Sequence, residues 1–174
     1  MRQFLSFLIL LSLCLSVHAQ RPPAREFRGA WIATVKNVDW PSRSGLSTEE
    51  QQQELTEMLD QFQSCGINAV IFQVRPAGDA FYESSYEPWS EWLTGRQGQP
   101  PFPRYDPLEW LINACHARGM ELHAWFNPFR ALTDPGSARQ LDPRHLAMRQ
   151  PELLLRYGSN LYLDPGLPEA REYA

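Results

Sequence analysis

The feature that most constrains this chain is a repeated order of elements: a β-rich segment, a long loop, a capped helix, a glycine, and at once another β-rich segment. Phe27–Val35 reads as a first strand, rich in β-formers and with no breaker beyond Gly29. After a loop carrying Asp39-Trp40-Pro41, Ser47 opens a helix as N-cap, and Glu50 completes a capping box. Leu55, Met58, Leu59 and Phe62 fall at the spacing of one buried helical face, and Gly66 supplies a left-handed stop. Asn68–Arg75 follows as a continuous apolar run, the pattern of a strand covered on both faces. A long stretch from Pro76 to Tyr105 separates it from Asp106-Pro107-Leu108-Glu109, an N-cap with proline at the first helical position. The apolar stripe Leu108, Leu111, Ile112 and Cys115 then runs to a second stop at Gly119. Met120–Phe126 is the third strand, a short helix is expected from Pro143, Asn160–Asp164 reads as a fourth strand, and Pro168 opens a last helix.

Alternation of this kind predicts an α/β fold with a parallel sheet. The turns from helix to strand are short and the connections from strand to helix are long. A (β/α)₈ TIM barrel has that asymmetry, because its βα loops build the active site at the C-terminal ends of the strands. A doubly wound sheet also alternates, but its first βα turn is tight and glycine-rich, and no Gly-x-Gly-x-x-Gly occurs here. The expectation is therefore a partial barrel of about four βα units, since eight units need roughly 200 residues or more.

Residues 1–19 have the layout of a secretory signal peptide. Arg2 supplies a short positive region, Phe4–Leu15 is almost unbroken apolar sequence too short for a membrane span, and Val17-His18-Ala19 offers a small-residue cleavage site. A lipidated Cys14 is the less favoured alternative, because Leu13 is bulky. The expected address is thus the periplasm or the exterior, with residues 20–26 as a linker and 27–174 as the barrel segment. A net charge of −4 without a basic block argues against a nucleic-acid partner. Six tryptophans suit stacking on sugar rings, and equally suit a core. Export makes a Cys65–Cys115 disulfide chemically possible, and two free thiols are the plainer reading.

If the long loops mark the active face, polar residues at the strand ends become candidates. Gln73 and Arg75 share one face of the second strand; His123, Trp125 and Asn127 share one face of the third. Each also has a structural reading: Arg75 as the partner of Asp79 or another carboxylate, His123 as a hydrogen-bonded core histidine, Trp125 as core filler. Asp39-Trp40-Pro41 is either a loop brace or a stacking shelf, and Asp164-Pro165-Gly166 either a carboxylate at a strand end or an ordinary turn. Glycoside hydrolysis generally uses two carboxyl groups, ~5 Å apart for retention and roughly 6.5–9.5 Å for inversion. Asp39, Asp79 and Asp164 are plausible members, yet no pair stands out. No metal-ligand spacing, nucleophile elbow or cofactor motif appears, so neither metal nor cofactor is expected.

Several segments together resemble the bacterial glycosyl-hydrolase-like family 10. They are Phe27-Arg28-Gly29-Ala30-Trp31, Asp39-Trp40-Pro41, Phe72-Gln73-Val74-Arg75-Pro76, Gly78-Asp79-Ala80-Phe81-Tyr82, Pro88-Trp89-Ser90 and Leu93-Thr94-Gly95. His123-Ala124-Trp125-Phe126-Asn127-Pro128-Phe129-Arg130 and Leu163-Asp164-Pro165-Gly166 continue the match in order. The resemblance implies a barrel that cleaves envelope glycans, a peptidoglycan-like polysaccharide among them, by carboxylate acid/base chemistry. It implies a substrate-side set of Asp39, Gln73, Arg75, Asp79, His123, Trp125, Asn127 and Arg130, with Arg75 and Asn127 orienting the sugar and Asp79 holding Arg75. Asp164 is the implied catalytic carboxylate. The family pattern continues to an acidic Asp-Asp-Tyr motif at a later strand end, so part of the catalytic set is expected outside this sequence. The 20–174 segment alone is then expected to fold poorly and to be inactive. A glycan-binding protein that stacks sugars on the Phe81–Trp92 loop is the alternative.

Overall fold

A computed structural model describes residues 25–133 and 140–174. The signal-peptide reading of residues 1–19, Cys14 included, and most of the 20–26 linker lie outside the described residues. Three parallel strands form the centre: β1 (Gly29–Ile32), β2 (Ala69–Arg75) and β3 (Glu121–Phe126), in the order β1-β2-β3. Register runs Trp31 to Ile71 to His123 across the sheet, and Gln73 to Trp125. Two helices connect the strands. The first, α1 (Thr48–Ser64), starts on the expected capping box: Ser47 Oγ accepts from the Glu50 amide at 3.2 Å, and the Glu50 carboxylate accepts from the Ser47 amide at 2.8 Å. A short helix, α2 (Glu91–Thr94), lies inside the loop after β2. The third helix, α3 (Pro107–His116), is capped by Asp106, whose carboxylate accepts from the amides of Leu108 and Glu109.

One face of the sheet carries the core. Ile32, Val70, Phe72 and Val74 alternate onto that face and pack with Leu55 and Leu59 of α1, and with Leu111 and Cys115 of α3. Trp40 and Phe81, both fully buried, extend this cluster into the loops. Trp31 and Trp125 meet edge to face on the opposite side, with ring centroids 5.4 Å apart, and Trp31 remains 46% exposed there. Among the described residues, α1 and α3 both pack on the same side of the sheet.

The structure shortens the first strand and reassigns the fourth. β1 ends at Ile32 rather than Val35 because the chain folds back on itself: Asp39 Oδ2 accepts from the Ala33 amide at 2.7 Å, and Lys36 and Asn37 take positive φ angles. Asn160–Leu163 is not a parallel neighbour of β3. It is β6 of a separate antiparallel sheet, ordered β4 (Arg130–Leu132), β6, β5 (Leu154–Tyr157). The reason is local. Gly158-Ser159 makes a two-residue connection, with Gly158 at a φ of 60°, and so short a turn returns a strand antiparallel; a parallel neighbour needs a long crossover. The described residues therefore hold three parallel strands, not four.

A second, smaller core of Ala131, Leu146, Leu153, Leu163 and Ala170 joins that sheet to α4 (Leu146–Arg149) and α5 (Pro168–Tyr173). The expected helix from Pro143 begins later, with His145 as its N-cap. Cys65 is exposed and Cys115 buried, and both are free thiols; burial pushes the Cys115 thiol up to about 11. Among the described residues no helix is long and apolar enough to cross a membrane.

Candidate functional site

The C-terminal ends of the parallel strands gather most of the polar residues singled out from the sequence. At the end of β1, Gln73 Oε1 accepts from the amides of Thr34 at 3.0 Å and Val35 at 3.3 Å, while the Thr34 hydroxyl donates to the Gln73 carbonyl. Gln73 is 7% exposed, so a buried glutamine on β2 fixes where the loop after β1 departs. Asp39 is itself exposed and braces the same loop through Ala33.

Arg75 closes β2. Its Nε donates to Glu87 Oε1 at 2.8 Å and its Nη2 to the same oxygen; Nη1 donates to the carbonyl of Asn127 at 2.6 Å and to that of Pro128 at 3.4 Å. The Tyr173 hydroxyl of α5 donates to Glu87 Oε1 at 3.2 Å. Arg75 and Glu87 are both nearly buried, with side-chain exposures of 10% and 4%. Charge-assisted bonds in such surroundings are short and directional. The expected partner, Asp79, is not the one Arg75 takes. A loop carboxylate on a longer side chain reaches the guanidinium, whereas Asp79 turns to Ser90.

Asp79 is buried, and its Oδ1 has no hydrogen-bond partner among the described residues; the same is true of Glu87 Oε2. Burial, with the charges of Glu87 and Glu91 adding to it, pushes the Asp79 carboxyl up to about 7, against a Ser90 hydrogen bond and the Arg75 charge. His145 is fully buried beside the same loop. Its Nδ1 accepts from the Ala147 amide at 3.1 Å, which leaves the proton on Nε2, and burial lowers its pKa despite the nearby Glu87 charge. A Cβ on Gly78 would stand 2.7 Å from the Ala131 carbonyl oxygen and 3.0 Å from His145 Nε2, so the loop approaches β4 as closely as a glycine permits.

At the end of β3, Asn127 Oδ1 accepts from the amides of Phe129 at 3.3 Å and Arg130 at 2.9 Å, an Asx turn that carries the chain into β4. Arg130 is half-buried and registers with Tyr162 of β6. Trp125 faces the open side of the sheet against Trp31. Gln73, Arg75, Asp79 and Asn127 are thus neighbours, and Asp39 joins them through the end of β1. His123 makes its contacts further back along β3, with Glu121 at 3.1 Å and edge to face with Phe27 at 5.4 Å. Asp164 is half-buried at the end of β6, where Oδ1 accepts from the Gly166 amide at 2.8 Å and its own amide donates to the Leu153 carbonyl. That is the turn reading of Asp-Pro-Gly.

Glu87, Ser90, His145 and Tyr173 were not among the sequence candidates. For Glu87 the signal was the uncompensated charge of Arg75, but Asp79, Glu83, Glu87 and Glu91 all lie within reach along the chain. Nothing comparable marked His145 or Tyr173. Among the described residues no cluster of three or more His, Cys, Asp or Glu is placed to hold a metal ion. Two roomy surface depressions lie elsewhere, one along the outer side of α1, lined by Glu54, Glu57 and Asp60, and one by Arg28, Asn68 and Glu121 at the N-terminal ends of the strands.

Comparison with known proteins gives this arrangement a family. Glycosyl hydrolase YngK of Bacillus subtilis (strain 168) is 47% identical over 173 residues, covering 98% of this chain and 34% of its own length. Glycosyl hydrolase DigH of Escherichia coli (strain K12) is 37% identical over 174 residues, covering 88% of this chain and 39% of its own. A more distant relative, alpha-xylosidase XylQ of Lactiplantibacillus pentosus, is 28% identical over 129 residues, 74% of this chain and 14% of its own length. The chain therefore spans well under half the length of these relatives. The profile of the family described as glycosyl hydrolase-like 10 matches residues 26–174, and the chain belongs to that family.

Proposed function

We propose that this chain is the substrate-side portion of an exported glycoside hydrolase acting on envelope glycan strands of the peptidoglycan type. The observation that carries the reading is the convergence of Gln73, Arg75, Asp79 and Asn127 at the C-terminal ends of two adjacent parallel strands, the place where barrel enzymes build their sites. In this reading the fold is the first part of a (β/α)₈ barrel. Three features support it: the parallel order β1-β2-β3, the packing of α1 and α3 on one same face, and the open Trp31–Trp125 face that further strands would cover. Asn127, held through its carbonyl by Arg75, sets the sugar against the strand ends, and Trp125 and Arg130 extend the contact surface. The signal-like residues 1–19 support export.

The test is made on a full-length protein carrying this segment, incubated with peptide-free glycan strands. Release of new reducing ends is the expected result; intact strands after prolonged incubation contradict the proposal. In the alternative binding reading the Phe81–Trp92 loop stacks the sugar, and there Tyr86 is the exposed ring while Phe81 and Trp89 are buried. Retention of the strands on immobilised protein without any release selects it.

A further inference from the structure

Arg75 uses Nε, Nη1 and Nη2 on protein partners, and two buried carboxyl groups compete for its single charge. Glu87 has taken it. Glu87 Oε1 receives three donors, from Arg75 Nε, Arg75 Nη2 and the Tyr173 hydroxyl. A guanidinium held in that way has one pose, because its planar donors are fixed relative to each other. Its remaining edge then sets the carbonyls of Asn127 and Pro128, which lie within the Asx turn that orients the Asn127 side chain.

We infer that Glu87 is a positioning residue of this site: it fixes Arg75, and through Arg75 the Asn127–Pro128 segment, with Tyr173 tying α5 to the same carboxylate oxygen. Asp79 stands outside this ion pair. A single guanidinium compensates one buried carboxylate, and burial shifts the second toward its protonated form. The inference rests on the reading that the site lies at these strand ends. It adds a residue that touches no substrate and acts, through Arg75, on Asn127, which is proposed to.

The experiment uses the full-length protein carrying this segment, labelled with ¹⁵N-arginine, which reports both ends of the relay: the Arg75 Nε–H and the Arg130 amide that Asn127 Oδ1 accepts from. In the wild type the Arg75 Nε–H signal persists at neutral pH. In Glu87→Gln its exchange with solvent quickens by about tenfold or more and the Arg130 amide resonance moves; Glu87→Asp restores part of both. Tyr173→Phe, which removes one donor and leaves the charges in place, shows the same changes in smaller measure and serves if Glu87→Gln does not fold. Where the wild type cleaves glycan strands, kcat falls in Glu87→Gln and recovers in part in Glu87→Asp. A folded Glu87→Gln protein with both arginine signals unmoved overturns the inference, as does Tyr173→Phe with neither signal changed. A wild type without turnover counts against the proposed function alone, and the two arginine signals still decide this point.

Discussion

Arg75, the last residue of β2, is bound by Glu87 twelve positions further along the chain, through Nε at 2.8 Å and through Nη2, with both side chains nearly out of contact with water. The pair closes the loop after β2 onto the strand it left. It also hands the guanidinium's other edge to the end of β3, so one ion pair joins two strand ends.

Removing one member of a buried pair leaves the other charge without a partner, and that typically destabilises by about 3–5 kcal/mol. Glu87→Ala is therefore expected to lower the urea midpoint sharply, and Arg75→Met, Glu87→Met together to lower it much less. Equal losses in the single and double variants, measured by urea titration, would show that the pairing is not what matters.

Asp79 predicts a pH dependence of definite sign. Its carboxyl loses its proton near the ordinary carboxylate range when unfolded, and near 7 when folded. Between those values the folded state binds more protons than the unfolded state. Stability from this group is then complete below about pH 4, declines as pH rises through 7, and is level above. The decline is on the order of a few kcal/mol. Asp79→Asn removes it, so its stability advantage over wild type grows from pH 4 to pH 7; parallel stability curves for the two proteins would contradict the assignment.

Much of this arrangement was legible in the sequence, and the exceptions have physical causes. The capping box Ser47–Glu50, the Asp106-Pro107 start and the Gly66 and Gly119 stops are signals carried by adjacent residues, and each appears where expected. The same holds for β2, whose unbroken apolar run is buried nearly throughout. The strand at Asn160–Leu163 was visible, but its direction was not, because direction is set by the Gly158-Ser159 turn and not by the apolar pattern. The site divides in the same way. Gln73, Arg75 and Asn127 sit at strand ends that periodicity locates. Glu87 and Tyr173 arrive from a loop and a distant helix, and only tertiary packing brings them to Arg75.

Gly78 has a φ of 68°, and a Cβ there would meet the Ala131 carbonyl, a backbone atom that cannot swing aside. Gly78→Ala is expected to destabilise by about 1–3 kcal/mol from conformational strain, before any displacement of β4 is counted. A thermal or urea midpoint equal to wild type would mean that the loop is held less tightly than described.

The two thiols differ in access. Cys65 is exposed, whereas Cys115 is buried in the main core with its thiol pKa raised to about 11. Peptide mapping after brief alkylation of native protein is expected to find Cys65 modified, with Cys115 modified only after unfolding. Equal labelling of both in native protein would contradict the packing of α3 on the sheet.

The most direct test of the site concerns Asn127, because one substitution separates its two roles. Asn127→Asp keeps the oxygen that accepts from the Phe129 and Arg130 amides but removes the side-chain amide donor. Turnover of peptide-free glycan strands by the full-length variant, measured beside its thermal midpoint, is expected to fall by about tenfold or more in kcat/KM with the midpoint nearly unchanged. Turnover equal to wild type in a folded Asn127→Asp protein would contradict the placement of the sugar-binding site at the ends of β2 and β3.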